Sequence, residues 1–290
     1  MNVDRRKLLK YLIAMVPAGV AIRLLAVTPG RMAAGLGHSM LGQTAPGQAT
    51  QPLGTDAASP PPGSVANGPI RTEDYSGPIR VACVGDSITA GAGTSNNALF
   101  SYPAQLQRML GDKWDVRNFG VSGRTLLNAG DYPYQAEDAF KTALSFQPNV
   151  VVIMLGTNDT KPQNWAFKAN FAADYLSLIR KFRNIASVPR IFLCLPIPCF
   201  GEGNYGINEA GIDEELPLIR KLAVAQQLDA IDMHTPFAGQ DALLPDRVHP
   251  NNEGAALMAR TVYKALTGRE YVGPPVLSLR SLAIKRFRLT

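Results

Sequence analysis

A serine hydroxyl is a weak nucleophile until a neighbouring base takes its proton. The chain has three histidines, His38, His234 and His249. His249 stands three residues after an aspartate in Asp246-Arg247-Val248-His249-Pro250. At that spacing the Asp246 carboxylate can hold Nδ1 and leave Nε2 free as a general base, two parts of a catalytic triad. The matching serine is Ser87, in Gly85-Asp86-Ser87-Ile88-Thr89 directly after the apolar run Val81-Ala82-Cys83-Val84. Open parallel sheets build their sites at the carboxyl ends of strands, where such a turn would present the hydroxyl. Taken singly, Gly-Asp-Ser is as well read as an ordinary turn, and Asp-x-x-His is more often an ordinary loop.

Two further places could stabilise the charge that such an attack creates. Asn118-Phe119-Gly120-Val121-Ser122-Gly123 follows a second strand-like run, and Gly120 lets the backbone approach a ligand closely. Gly156-Thr157-Asn158-Asp159 follows a third, and Asn158 can aim a side-chain amide at the same point. Together the four segments predict that Ser87 attacks an acyl carbonyl while His249, oriented by Asp246, carries the proton. The oxyanion is then held by the N–H groups of Ser87 and Gly120 and the amide of Asn158. Each such donor is typically worth about a hundredfold to a thousandfold in rate.

These residues need a scaffold that brings strand ends together. Strand patterns fall at Ile79–Gly85, Trp114–Phe119, Val150–Leu155, Ile191–Leu195 and Ala230–Met233. Helical patterns fall at Phe100–Leu110, Gln135–Ser145, Trp165–Ala186, Glu209–Gln227 and Asn252–Leu266. Short apolar strands alternating with helices imply a parallel sheet covered on both faces. The expected fold is one three-layer α/β/α domain with a five-stranded parallel sheet in flavodoxin-like order, over residues 78–267.

The chain has 290 residues and a net charge of +6, but the basicity belongs to its two ends. Residues 1–31 carry Arg5, Arg6, Lys7, Lys10, Arg23 and Arg31 against Asp4, and residues 268–290 carry Arg269, Arg280, Lys285, Arg286 and Arg288 against Glu270. The remainder is mildly acidic, so no nucleic-acid-binding surface is expected. Paired arginines before the apolar run Tyr11–Val27 resemble a twin-arginine export signal. Residues 1–37 are therefore expected to be an export signal or anchor, which makes the protein periplasmic or extracellular and confines membrane association to that segment. Residues 38–77 read as a Pro/Gly/Ser-rich tether, and 268–290 as a basic tail of open role. Three cysteines, Cys83, Cys194 and Cys199, fit no zinc pattern. Cys83 and Cys194 are expected to be buried thiols, and a Cys194–Cys199 bridge is left open.

The four segments in this order resemble the SGNH (GDSL-type) hydrolases, whose blocks supply Ser, Gly, Asn and His. The resemblance covers residues 79–267, and only Arg247 departs from it, at a place where the family often has glycine. It implies an SGNH serine esterase that needs no cofactor and no metal. Asp131-Tyr132-Pro133-Tyr134, Pro196-Ile197-Pro198 and Gly206-Ile207-Asn208-Glu209 resemble the sialate O-acetylesterase-like branch, which implies deacetylation of a small-molecule or glycan ester. Tyr132, Tyr134, Trp165 and Tyr205 are candidates for a sugar-stacking rim, Arg124 is a candidate loop anchor, and His234 reads as a packed or loop histidine. Competing readings are a lysophospholipase or thioesterase, an acyltransferase using the same serine, and an inactive glycan-binding module.

Overall fold

The computed structural model describes residues 68–273. The expected export segment, the tether up to residue 67 and the tail beyond residue 273 lie outside the described residues. Five parallel strands, β1 (Ile79–Gly85), β2 (Trp114–Gly120), β3 (Val150–Met154), β4 (Arg190–Leu195) and β5 (Asp229–Asp232), form one sheet in the order β2-β1-β3-β4-β5. Its main covering helices are α1 (Tyr102–Leu110), α2 (Asp138–Ser145), α3 (Phe171–Arg183), α4 (Glu209–Ala225) and α5 (Asn252–Thr267).

The central strands β1, β3 and β4 read as near-continuous apolar runs because both their faces are buried, whereas the edge strands β2 and β5 are only partly covered. Val150 through Met154 are all buried, and alternate side chains go to opposite layers. Ile79, Val81, Cys83, Val150, Val152 and Met154 pack with Leu106 of α1 and Met258 and Val262 of α5. Ala82, Val84, Val151 and Ile153 pack with Phe140 of α2, Leu178 and Phe182 of α3 and Ile219 of α4. Each fully buried aliphatic side chain in such a layer contributes about 1.5–3 kcal/mol by removal from water. The fold is thus the expected three-layer α/β/α arrangement.

The strand order fixes where a site can form. The chain leaves β1 toward β2 on one side and returns to β3 on the other, so the carboxyl ends of β1 and β3 diverge at a switch point. Register aligns Gly85 of β1 with Gly120 of β2 and with Met154 of β3. The Ser87 turn and the Asn158 turn therefore open onto one crevice. At the other end of the chain, Asn251 caps α5 by accepting the Glu253 and Gly254 N–H groups at 3.0 and 2.9 Å, which fixes the turn that carries His249.

Two local differences from the sequence pattern have clear causes. The expected helix Trp165–Ala186 is broken into a turn at Pro162–Trp165, a 3-10 turn at Lys168–Asn170 and α3. Buried Asn164 pins the first turn, donating to the Asn158 carbonyl and accepting the Asp131 N–H, both at 2.9 Å. Ahead of the sheet, Ile70 is buried and its N–H bonds to the Leu266 carbonyl at 2.7 Å, so the segment just before β1 docks on α5. All three cysteines are free and buried, with no Cys194–Cys199 bridge. Among the described residues, no helix is long and apolar enough to cross a membrane.

Candidate active site

Ser87 opens a short helical turn, Ser87–Ala90, directly beyond β1. Asp86 caps that turn, accepting the Ile88 N–H at 2.9 Å, and so fixes the serine at its amino end. Ser87 Oγ lies 2.9 Å from His249 Nε2, and His249 Nδ1 lies 2.7 Å from Asp246 Oδ2. The other Asp246 oxygen accepts the backbone N–H groups of Val248 and His249 at 3.0 and 2.6 Å. Burial pushes the Asp246 carboxyl up, but the His249 N–H, its imidazole and the Val248 N–H outweigh it, and the net direction is down. Asp246 is thus held ionised, as an orienter of an imidazole must be.

Asn158 reaches the same turn. Its Nδ2 donates to Asp86 Oδ2 at 3.3 Å and to the Arg124 carbonyl at 3.2 Å. Both bonds are long for N–H···O, so the amide is held in place by weak partners that an oxyanion can displace. Burial pushes the Asp86 carboxyl up to about 6, opposed by the Ile88 N–H and the nearby His249. Beneath it, Asp159 accepts the Leu126 and Leu127 N–H groups at 2.9 and 2.7 Å, and burial raises it to about 7.

Gly120 occupies a different position from the one its motif suggests. It is the last residue of β2 and still lies in the ladder, paired with Gly85, with Val121 N–H bonded to the Gly85 carbonyl. Its own N–H is taken by Asn118 Oδ1 at 2.9 Å. A Cβ there would sit 2.3 Å from Ala90 N, so the glycine is required by close packing of β2 on the Ser87 turn. A candidate donor that the sequence analysis did not name is Gly123, three residues later. It has φ +80°, open space where a Cβ would be, and no acceptor for its N–H among the described residues. The signal was present as a second glycine in Gly120-Val121-Ser122-Gly123, but strand length alone could not tell which glycine lay beyond the ladder.

The aromatic rim contracts to two residues. Tyr134 is fully buried and donates to the Phe119 carbonyl at 2.7 Å. Trp165 packs edge-on against Phe171 and donates to Glu214 Oε2 at 3.0 Å. Tyr132 and Tyr205 are exposed. The Arg124 guanidinium lies 5.4 Å from the Tyr132 ring centre while pairing with Glu137 at 2.9 Å, so it does anchor its loop. His234 lies apart from the triad, where Nε2 bonds Glu209 Oε1 at 2.8 Å. With Asp213 the two form a cluster of metal-ligand type, but Glu209 is already satisfied by His234 and by the Cys199 N–H at 2.6 Å. The cluster is accounted for as a brace between the β4 exit and the β5 exit.

Residues 83–257 match the GDSL-like lipase/acylhydrolase family. The chain belongs to that family. Its serine esterases of SGNH type act on ester bonds, and the Ser87–His249 pair supplies the nucleophile and base that this chemistry requires. Over 207 residues the chain is 43% identical to an acetylxylan esterase of Xylanibacter ruminicola, covering 65% of this chain and 43% of that protein. The chain therefore spans less than half the length of that curated relative. Among solved structures, a putative arylesterase from Agrobacterium tumefaciens is similar at 25% identity and a TM-score of 0.54, over 65% of this chain and 98% of that one. An acetyl xylan esterase, AlAXEase, is similar at 26% identity and a TM-score of 0.52, over 65% and 100%. These similarities show the family, and they do not extend to the sialate branch that the loop segments suggested.

Proposed function

We propose that this protein is a serine esterase that removes O-acetyl groups from carbohydrates, with acetylated xylan-type chains as its substrate class. The observation that carries the reading is the continuous chain from Ser87 Oγ through His249 to Asp246, at 2.9 and 2.7 Å. The naming of the 43% identical relative as an acetylxylan esterase favours a plant-type glycan over a sialate. By the N-terminal twin-arginine pattern, the protein works after export.

Ser87 Oγ attacks the acetyl carbonyl as its proton passes to His249 Nε2, and the imidazolium is stabilised by ionised Asp246. The tetrahedral oxyanion is received by the Ser87 and Gly123 N–H groups, with the Asn158 amide turning from its weak partners. Collapse breaks the bond to the sugar oxygen, which leaves with the proton from His249. Water then repeats the sequence on the acetyl-enzyme: His249 takes a proton from water as hydroxide adds to the acyl carbon, and collapse releases acetic acid, which ionises to acetate, while His249 returns its proton to Ser87 Oγ.

Beside the Asp246–His249 turn is a cleft of about 740 Å³ lined by Phe200, Glu202, Asp241 and Arg247, among others. Glu202, Asp241 and Arg247 give this cleft hydrogen-bonding groups for a polyhydroxylated chain, beside the apolar Phe200, Leu244 and Pro245. The test is acetate release from acetylated xylo-oligosaccharides compared with cleavage of long-chain 4-nitrophenyl esters. Faster turnover of the sugar esters supports the reading. Preference for the long-chain esters would replace it with a lipase-type function.

A further inference from the structure

The segment Gly201–Ile207, between β4 and α4, is shaped by residues in the left-handed region: Gly201, Gly203, Tyr205 and Gly206 have φ of +58, +69, +56 and +80°. Tyrosine is uncommon there and carries a cost in strain. What the geometry achieves is an arch over the Asp246–His249 turn. Ile207, at the end of the arch, is buried with Val248, the residue before the histidine. Phe200 N–H bonds to the Arg247 carbonyl at 3.0 Å. Asn204 Nδ2 donates to the Asp246 carbonyl at 3.2 Å, while its Oδ1 accepts the Tyr205 N–H at 2.8 Å. Tyr205 Oη is oriented to donate to Asp246 Oδ2 at 3.3 Å, a long bond for O–H···O, and its ring centre lies 5.4 Å from that of His249.

Asp246 therefore has four donors. One oxygen takes two backbone N–H groups, and the other is shared between His249 Nδ1 and the Tyr205 hydroxyl. We infer that Tyr205 is a positioning residue of the triad, whose hydroxyl competes with His249 for one carboxylate oxygen of Asp246 and whose ring shields that pair from water. This inference rests on the esterase reading above for its rate consequences, but its physical content is independent of substrate. A hydrogen bond to the carboxylate favours its ionised form and withdraws charge from the oxygen that holds the imidazole. The bare carboxylate would bind the imidazolium more tightly and return the proton to the leaving group less readily. The groups facing His249 are Ser87 and Asp86 from the turn after β1, Asp246 from its own loop, and Tyr205 from the arch. Of these, Tyr205 is exposed at the mouth of the site, which is also why it reads as a mere rim residue in the sequence.

The test is Tyr205→Phe, which keeps the ring and removes only the hydroxyl, with Tyr205→Ala beside it. On 4-nitrophenyl acetate, which carries no sugar, Tyr205→Phe is expected to lower kcat about threefold to tenfold with KM nearly unchanged. The acid limb of its kcat/KM profile should move upward by roughly half a pH unit. In the proton NMR spectrum, the downfield His249 Nδ1–H resonance should move further downfield as its bond to Asp246 tightens, an effect that requires no turnover. Tyr205→Ala should add solvent exchange broadening of that resonance. An unmoved resonance and an unmoved acid limb in Tyr205→Phe would overturn the inference, as would a pure KM increase confined to acetylated xylo-oligosaccharides, which would make Tyr205 a sugar contact. If wild-type protein cleaves no acetyl ester at all, the esterase reading fails while the NMR comparison still decides the role of Tyr205.

Discussion

Asn118 clasps Gly120: its Oδ1 accepts the Gly120 N–H at 2.9 Å while its Nδ2 donates to the Thr89 carbonyl at 2.8 Å. One side chain thereby ties the end of β2 to the turn that presents Ser87. Gly120→Ala would put a Cβ 2.3 Å from Ala90 N and 2.7 Å from Thr89 C, backbone atoms that cannot swing aside. The expected result is a loss of about 2 kcal/mol or more, read as a fall in the thermal midpoint by circular dichroism. Gly123→Ala meets open space, so its cost is confined to φ strain of about 1–2 kcal/mol. An unchanged midpoint in Gly120→Ala would show that close packing of β2 on the Ser87 turn does not require the glycine.

Asn158 acts, in this mechanism, on charge that develops only in the transition state. Asn158→Ala should lower kcat on 4-nitrophenyl acetate by about a hundredfold or more, with a much smaller change in KM. Steady-state kinetics separate the two. A change carried mainly by KM would make Asn158 a ground-state binding residue.

Glu215 of α4 is fully buried, and neither carboxyl oxygen has a hydrogen-bond partner. Burial, followed by the fields of Asp159 and Asp86, raises it well above the usual carboxylate range. Because its folded pKa is the higher one, the stability tied to its neutral form is present below about pH 4, where the unfolded group is also protonated. That stability is lost as pH rises toward the raised folded value. Glu215→Gln keeps the shape and removes the titration. Its thermal midpoint should decline less steeply than that of the wild type as pH rises above the ordinary carboxylate range. Parallel pH profiles for the two proteins would show that Glu215 does not titrate differently on folding.

Arg247 sits at φ +73°, with its side chain laid along Gly201. The conformation accounts for the glycine often found at this place in SGNH enzymes, since an L-residue there costs about 1–2 kcal/mol. Arg247→Gly should keep thermal stability within about 1 kcal/mol of wild type, relief of strain being offset by a looser unfolded chain. Arg247→Val should be clearly less stable, because a β-branched residue is a true outlier in this region. Equal stability of the Gly and Val variants would show that the loop relaxes out of the left-handed region.

The centre of the sheet was readable because β1, β3 and β4 are buried on both faces. Ile79–Gly85 and Val150–Met154 are apolar runs that no amphipathic helix would show, and their observed bounds match the pattern to within a residue. The triad was readable because Asp246 and His249 are three residues apart in one turn, so local spacing already encodes their geometry. Gly123 was not, since choosing between two glycines requires knowing where β2 leaves the ladder. Nor was Tyr205, whose contact with Asp246 depends on left-handed turns across a loop 41 residues away in sequence. Tyr134 misled for the opposite reason. A tyrosine on a loop after a strand looks exposed until its hydroxyl finds a buried carbonyl, here that of Phe119.

The central claim is that Ser87, activated by His249, is the nucleophile that takes acetyl from a carbohydrate. The most direct measurement is acetate released from acetylated xylo-oligosaccharides by wild type, Ser87→Ala and His249→Ala, each first shown to be folded by circular dichroism. The account predicts rapid release by the wild type and a loss of at least about a thousandfold in both variants. Release at the wild-type rate by either folded variant would contradict it.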